Sequence, residues 1–180
     1  VLLLFDYMVP CTFLQLIACS LGRCQAKGYL CSKNTLIMCK FSESTKQKLG
    51  NAIIYIARHT SGLSKTKLLK LLYLMEERMA LKYHVPFIGI PCEVWQAGPV
   101  AKDVFVDLSD GPYLLKSFVK TDFKDGGIVI AAVADFDDRE FSECEIELMA
   151  EILAKYDNMN ASESVEETDQ ASILWYRAAA

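Results

Sequence analysis

The chain has 180 residues, of which 52% are hydrophobic and 23% charged, enough for one core and too few for two ordinary domains. A formal net charge of -4 disfavours broad binding to nucleic acid or anionic membranes, because both need concentrated lysine and arginine. With two histidines and seven cysteines but no Cys-x-x-Cys pair, the sequence lacks a structural zinc pattern, and we predict neither metal nor cofactor.

Residues 1–40 differ in composition from the rest of the chain, and we treat them as an apolar, cysteine-rich N-terminal extension. Asp6 and Pro10 interrupt the apolar run and no basic residue precedes it, so it is a poor match to a membrane span or a secretory signal. Three explanations remain open. The segment is a non-native extension or a misplaced start, a lipoprotein-type signal acylated at Cys19, or an ordinary extra segment.

Residues 41–180 are predicted to form a single α+β domain, mainly α-helical, with a small antiparallel β element. This part carries only Cys92 and Cys144, which we expect to pack as small buried hydrophobic residues. The lack of a cysteine framework favours a reduced compartment, and we expect a cytoplasmic protein with no membrane partner.

Two amphipathic helices begin this domain. The capping-box pattern Ser44-x-x-Gln47 precedes an apolar stripe and predicts a helix that ends near Thr60. Ser64 is the predicted cap of a second helix over about 65–83, whose many leucines indicate nearly complete burial. We therefore expect the second helix to lie at the centre of the core.

An extended element and a third helix are predicted next. Residues 92–96 alternate in character, and Pro91 limits them to the start of a strand. The pair Gly98-Pro99 predicts the first turn of a helix that continues through Leu108, because proline suits the first helical position.

A strand pair and a further helix complete the predicted elements. Two strands, over about 114–124 and 127–135, flank a glycine-containing turn. A second capping box, Ser142-x-x-Glu145, begins a helix whose apolar stripe reaches Tyr156, and a short helix is predicted around 161–167.

Common catalytic signatures for nucleotide binding, metalloprotease and hydrolase chemistry are absent from the sequence. His59 and His84 fall at predicted helix ends, where a cation interacts favourably with the helix dipole, and we prefer this interpretation to catalysis. The aspartates Asp135, Asp137 and Asp138 are either a solvated turn or the carboxylate cluster of a metal-dependent hydrolase.

Two clusters are candidates for binding a partner. Lys65, Lys67 and Lys70 lie within two turns of the second helix. They are either solvated lysines beside a buried stripe, or a basic face that binds an acidic partner or a DNA backbone. Trp95 precedes the predicted start of the third helix, whose free N–H groups could bind a partner carbonyl or carboxylate. A tryptophan packed beside a helix start is the alternative.

Several blocks, read together, resemble the Panacea domain family, the SocA-like antitoxins, which also includes phage-associated GepA-like proteins. The blocks are Lys67–Tyr73 (KLLKLLY), Glu93–Val100 (EVWQAGPV), Phe141–Glu145 and Tyr156–Ala161. The resemblance covers about residues 44–176. Its specific part is the lysine-leucine-tyrosine helix followed some twenty residues later by Trp-x-x-Gly-Pro-Val.

The resemblance implies a non-enzymatic bacterial protein that binds and neutralises a protein toxin encoded by an adjacent gene. The founding member of the family delivers its toxin to a Clp-type protease, so a proteolytic adaptor is one implied mechanism. The family implies a role without naming the toxin. A metal-dependent hydrolase using the aspartates and a DNA-binding autoregulator using the lysines are the alternatives.

On this view, the helix and the turn shape part of a partner-binding surface. The residues assigned to it are Lys67, Lys70, Tyr73, Trp95, Gly98, Pro99 and Val100. Thr168-Asp169 stands where relatives usually have Thr-His. Few residues follow Trp175, where relatives continue, and we expect the C-terminus to be truncated.

Overall fold

The computed structural model describes residues 41–156 except residues 96, 97 and 125. The helices in this range are α1 (Glu43–His59), α2 (Lys65–Tyr83), α3 (Lys102–Ser109) and α4 (Glu143–Tyr156). The strands form two antiparallel pairs, β1 (Glu93–Trp95) with β2 (Gly98–Val100), and β3 (Val119–Lys124) with β4 (Gly127–Ala132). The predicted fold class, mainly helical α+β with a small antiparallel β element, is confirmed. The predicted N-terminal extension, the short helix around 161–167 and Thr168-Asp169 lie outside the described residues.

The N-cap of helix α1 lies two residues earlier than predicted. The hydroxyl of Ser42 accepts the N–H of Thr45 at 3.0 Å, so Ser42 is the cap. Ser44 lies inside the first turn, and its hydroxyl donates to the Glu140 carboxylate at 2.9 Å. The capping box predicted at Ser44 is therefore wrong, because that serine makes a tertiary contact instead of a local one.

The caps of α2 and α4 agree with the predictions. The Ser64 hydroxyl accepts the N–H of Lys67 at 3.2 Å, and α2 follows directly. At α4, the Ser142 N–H donates to the Glu145 carboxylate at 2.8 Å, the side-chain half of a capping box. Both predicted helix starts are confirmed.

Helix α2 lies at the centre of the core, as predicted. It contacts α3, α4, β2 and β4, and the side chains of Leu68, Leu71 and Met75 are at most 1% exposed. Helix α1 lies on β4 and closes the same core. Within residues 41–156, no helix combines the length and apolar character needed to cross a bilayer.

The strand β3 begins later than the sequence predicted. The Asp107 carboxylate accepts the backbone N–H groups of Tyr113, Leu114 and Leu115 at 2.9, 2.8 and 3.2 Å. These donors are held in a loop that wraps the end of α3, so they are not available to a sheet.

The segment Gly98-Pro99 belongs to β2, so the predicted helix start there is wrong. Trp95 pairs with Gly98 and Val94 with Pro99, and α3 begins only at Lys102. In a hairpin with a two-residue connection, the pair nearest the connection, Trp95 and Gly98, is the hydrogen-bonded one. The next pair, Val94 and Pro99, is a non-hydrogen-bonded pair, so proline there loses no ladder hydrogen bond. Gly98 has a φ of 92°, which favours glycine at the end of this tight turn.

Thr60 follows α1 with its side chain buried, and its hydroxyl makes no hydrogen bond among the described residues. We expect Thr60→Val to raise the free energy of unfolding by about 0.5 to 2 kcal/mol, because it replaces a desolvated hydroxyl by a methyl group of the same shape. Urea denaturation measures this difference. Thr60→Ser is the control, since it keeps the hydroxyl, removes the methyl group and should destabilise. A Thr60→Val protein less stable than wild type would contradict the expectation.

Candidate partner-binding surface

The lysines predicted on α2 do not form one exposed face. Lys67 and Lys70 are only 8% and 3% exposed, so the expectation of a solvated lysine face is wrong for both. Tyr73 is also buried and donates its hydroxyl to Glu77 at 3.0 Å. A DNA-binding helix needs ammonium groups that reach phosphates in solvent, and the burial of these two lysines removes most of that support.

The β1–β2 hairpin lies against the same helix. Gly98, Pro99 and Val100 are buried, and β2 contacts α2. The structure thus brings together the two sequence blocks predicted to cooperate, the α2 block and the Trp95 turn. Whether these residues also touch a partner stays a prediction.

Trp95 is half-buried on the outer side of this hairpin. Its ring makes an edge-on contact with Phe105 of α3, with centroids 5.0 Å apart. The indole N–H donates to one carboxylate oxygen of Glu93 at 3.2 Å, and Lys102 donates to the other at 3.0 Å. These contacts fix the ring orientation and leave part of it accessible.

Lys65, at the start of α2, contacts the same Phe105 ring. Its Nζ lies 3.7 Å from the ring centroid and donates to the Ser109 hydroxyl at 2.8 Å. Burial lowers the pKa of Lys65, and the nearby Asp110 carboxylate opposes that shift. Of the three lysines in the predicted cluster, Lys65 is the one that joins the tryptophan.

We call Lys65, Trp95, Lys102, Phe105 and Val106 the Trp95 surface. Val106 is 52% exposed beside Phe105, so the surface joins apolar side chains with two ammonium groups. Aromatic anchors surrounded by a polar rim are typical of protein–protein interfaces. The arrangement suits a partner segment with apolar residues.

Phe105 and Val106 were not predicted as binding residues. The stripe that α3 buries needs only Val104 and Leu108, which are 1% and 0% exposed. Phe105 is partly buried against the same core, whereas Val106 is 52% exposed and is an apolar residue in excess of what the core uses. That excess was the available signal, and the wrong position of the predicted helix start obscured it.

The aspartates predicted as a possible catalytic cluster are engaged by arginines. Arg58 binds the exposed Asp135, and Arg139 binds Asp137 with its Nε 2.8 Å from one oxygen. Hydrogen bonds from the Arg139 side chain lower the pKa of Asp137. Across the described part of the chain, no three His, Cys, Asp or Glu side chains are grouped to hold a metal ion. The arginine contacts of Asp135 and Asp137 and the exposure of Asp135 and Asp138 agree with the solvated turn that was predicted as the alternative to a hydrolase site.

Both histidines lie at helix ends, as predicted. His59 is the last residue of α1, and its Nδ1 lies 2.7 Å from the Tyr55 carbonyl oxygen. His84 ends α2 in a left-handed conformation with φ 59°, and its backbone N–H donates to the Ala80 carbonyl at 3.1 Å. These contacts give each histidine a structural position.

Cys92 and Cys144 are free thiols and half-buried, less buried than predicted. The Cys92 thiol donates to the Ile90 carbonyl at 3.8 Å. Burial, with a smaller contribution from the Glu76 carboxyl, raises the pKa of Cys92 to about 12. A thiol that stays protonated at neutral pH is a poor nucleophile.

Comparison with known proteins identifies a family for most of the described residues. A family model described as antitoxin SocA-like, Panacea domain, matches residues 68–176. No curated protein and no solved structure matches the chain. The matched range holds most of α2, both strand pairs, α3 and α4, and it includes every residue of the Trp95 surface except Lys65. Because this match spans more than half of the chain, the protein belongs to the SocA-like antitoxin family of Panacea domains, which gives it an antitoxin-type role in general terms.

Proposed function

We propose that the protein acts in the bacterial cytoplasm as a non-enzymatic antitoxin that binds and neutralises a protein toxin encoded by the adjacent gene. The single observation that carries the binding site is the contact of Trp95 and Lys65 with the same Phe105 ring. A half-buried tryptophan held in one orientation can bury more area on binding without losing much side-chain entropy.

The buried residues of the two sequence blocks have a supporting part in this proposal. Lys67, Lys70 and Tyr73 are buried on α2, Gly98, Pro99 and Val100 are buried on β2, and these two elements contact each other. Their burial means that substitution there disturbs the shape of the surface and the stability of the domain together. Exposed members of the Trp95 surface are better probes of binding itself.

Substitutions in the Trp95 surface are expected to abolish toxin neutralisation. The neighbouring open reading frame is expressed with the full 180-residue chain, and survival is measured by colony counts. Wild type should restore growth. Trp95→Ala and Val106→Asp should each weaken toxin binding about 30-fold or more. Trp95→Ala removes the central aromatic contact, and Val106→Asp introduces an unpaired carboxylate that binding would bury.

Folding is separated from binding by two comparisons. Val106 is 52% exposed, so Val106→Asp should keep the wild-type thermal melt while it loses neutralisation. Tyr113→Ala is the matched control, because Tyr113 is a 67% exposed aromatic residue outside the Trp95 surface, and it should neutralise as wild type does. Folded Trp95→Ala and Val106→Asp proteins that still neutralise the toxin would refute the proposed site.

Delivery of the toxin to a Clp-type protease is the finer mechanism that we propose. It predicts that the half-life of the toxin shortens when the antitoxin is present and that deletion of the protease restores the half-life. Simple blocking of the toxin predicts neutralisation with an unchanged half-life. Pulse-chase measurement of the toxin distinguishes the two mechanisms.

A further inference from the structure

Among the residues that the structure describes, the β3–β4 hairpin is covered along one edge and unpaired along the other. On the β4 side, the N–H of Ile130 donates to the Leu63 carbonyl at 2.9 Å, and Ser64 pairs with Val129. On the β3 side, no strand pairs with it among residues 41–156 that the structure describes. An open edge can accept a further strand.

The hydrogen-bond alternation shows which residues of β3 present free groups. The Val133 N–H donates to the Phe118 carbonyl at 2.9 Å, so even-numbered positions of β3 face β4 and odd-numbered positions face outward. Thr121 and Phe123 therefore direct their backbone N–H and C=O groups to the open edge. The Val119 N–H already donates to the Leu115 carbonyl at 3.0 Å, so at this residue only the carbonyl is available to a further strand.

The exposed side chains of β3 are complementary to a second copy of the same strand. In an antiparallel pair, outward positions must meet outward positions, which allows registers centred on residue 120, 121 or 122. Centring on Thr121 places Lys120 opposite Asp122 of the second copy, and Asp122 opposite its Lys120. The two neighbouring registers place Lys120 or Asp122 opposite itself, which is repulsive. Charge therefore selects one register.

We propose that two copies of the chain associate through β3 in the register centred on Thr121, which joins the two hairpins into a four-stranded sheet. The Thr121 residues exchange backbone hydrogen bonds, and each Phe123 N–H meets a Val119 carbonyl. Within one strand, the Lys120 ammonium lies 3.8 Å from the Asp122 carboxylate. In the dimer, each of these side chains instead pairs with the opposite charge on the second copy. The proposal concerns a surface separate from the Trp95 surface.

The exposure of Phe123 supports a second copy as the occupant. Phe123 is 79% exposed, the largest fraction among the exposed large hydrophobic residues described. In the proposed register it lies opposite Val119, which is 1% exposed at the margin of the core. Pairing therefore extends each core with an aromatic ring that one copy alone leaves in solvent.

Charge reversal tests the register directly. Sedimentation equilibrium of the full chain over a wide concentration range should show a monomer–dimer equilibrium. Lys120→Asp and Asp122→Lys each place like charges opposite one another and should raise the dimer dissociation constant about tenfold or more. The double variant Lys120→Asp/Asp122→Lys restores opposite charges and should return it to within about threefold of wild type.

Two further variants complete the test. Lys124→Asp makes the same charge change on the same face but opposite Phe118, so its dimer should stay within about threefold of wild type. Thr121→Pro removes an outward N–H and no contact within the hairpin, so it should give folded monomers. A wild-type chain that is monomeric throughout, or a dimer insensitive to both single reversals, overturns the proposal. If the wild-type chain is monomeric and Thr121→Pro abolishes toxin neutralisation, the β3 edge binds the toxin and the proposed dimer is overturned as well.

Discussion

Glu76→Ala is expected to lower the free energy of unfolding by about 3 to 5 kcal/mol, the largest effect of any single substitution considered. The Glu76 side chain is 2% exposed inside α2. One carboxylate oxygen accepts the N–H of Phe87 at 2.9 Å, and the other accepts Ile88 at 2.9 Å and Gly89 at 2.7 Å. Ile90 adds a contact at 3.3 Å.

This carboxyl group organises the connection from α2 to β1. Burial raises the pKa of Glu76, and the backbone N–H donors of residues 87–90 oppose the rise. Truncation at Glu76 leaves several donors without an acceptor in a segment that includes the buried Phe87 and Ile90. Since this segment leads directly into β1, we expect loss of toxin neutralisation as well as stability.

Glu77→Ala is the matched control for this effect. Glu77 is the adjacent residue of α2 and is 5% exposed, but among the described residues its carboxylate accepts from one side chain, the Tyr73 hydroxyl. We expect a loss of about 1 to 2 kcal/mol, because one donor loses its acceptor. Guanidinium denaturation followed by circular dichroism measures both variants. Equal losses at the two positions would show that the backbone contacts of Glu76 add nothing.

Gly50→Ala is expected to destabilise the protein by about 1 to 3 kcal/mol, although the same change inside a helix ordinarily stabilises. A Cβ at position 50 would lie 2.4 to 2.6 Å from carbon atoms of the Phe118 ring. The ring is 6% exposed, and the Phe118 backbone is held by hydrogen bonds to Leu115 and Val133. The ring therefore has little room to retreat, and the strain falls on the contact between α1 and β3.

A double-mutant cycle assigns the effect to this contact. Phe118→Leu removes the ring, so Gly50→Ala in that background should cost clearly less than it does alone. Thermal denaturation of the four proteins in the cycle gives the coupling. If Gly50→Ala raises the melting temperature of the otherwise wild-type chain, helix propensity outweighs the steric conflict and the expectation is wrong.

Sequence reasoning identified the helices well because their signals are local. The caps at Ser64 and Ser142, and the ends at His59 and His84, depend on contacts between residues three or four apart. The predicted turn between β3 and β4 is equally local, since glycine permits the backbone conformation required there. The cap predicted at Ser44 was wrong for two reasons: Ser42, two residues earlier, caps the helix, and the Ser44 hydroxyl instead donates to Glu140, which is distant along the chain.

The candidate site was predicted only in outline. Trp95 was singled out, but its neighbour Phe105 comes from a helix that begins later than proline at position 99 suggested. Lys67 and Lys70 looked equivalent to Lys65 in sequence, and only the packing around α2 separates them into buried and surface residues. The spacing of lysines along a helix gives their directions, and it does not show what covers each direction.

The sequence by itself determined the fold class, the central position of α2 and the resemblance to SocA-like antitoxins, because periodicity, caps and a specific motif are properties of neighbouring residues. The tertiary structure alone decided three things: the pairing of Gly98 with Trp95, the meeting of Lys65 and Trp95 on Phe105, and the open edge of β3. Each depends on segments distant along the chain, whose contacts are set by how the whole core packs.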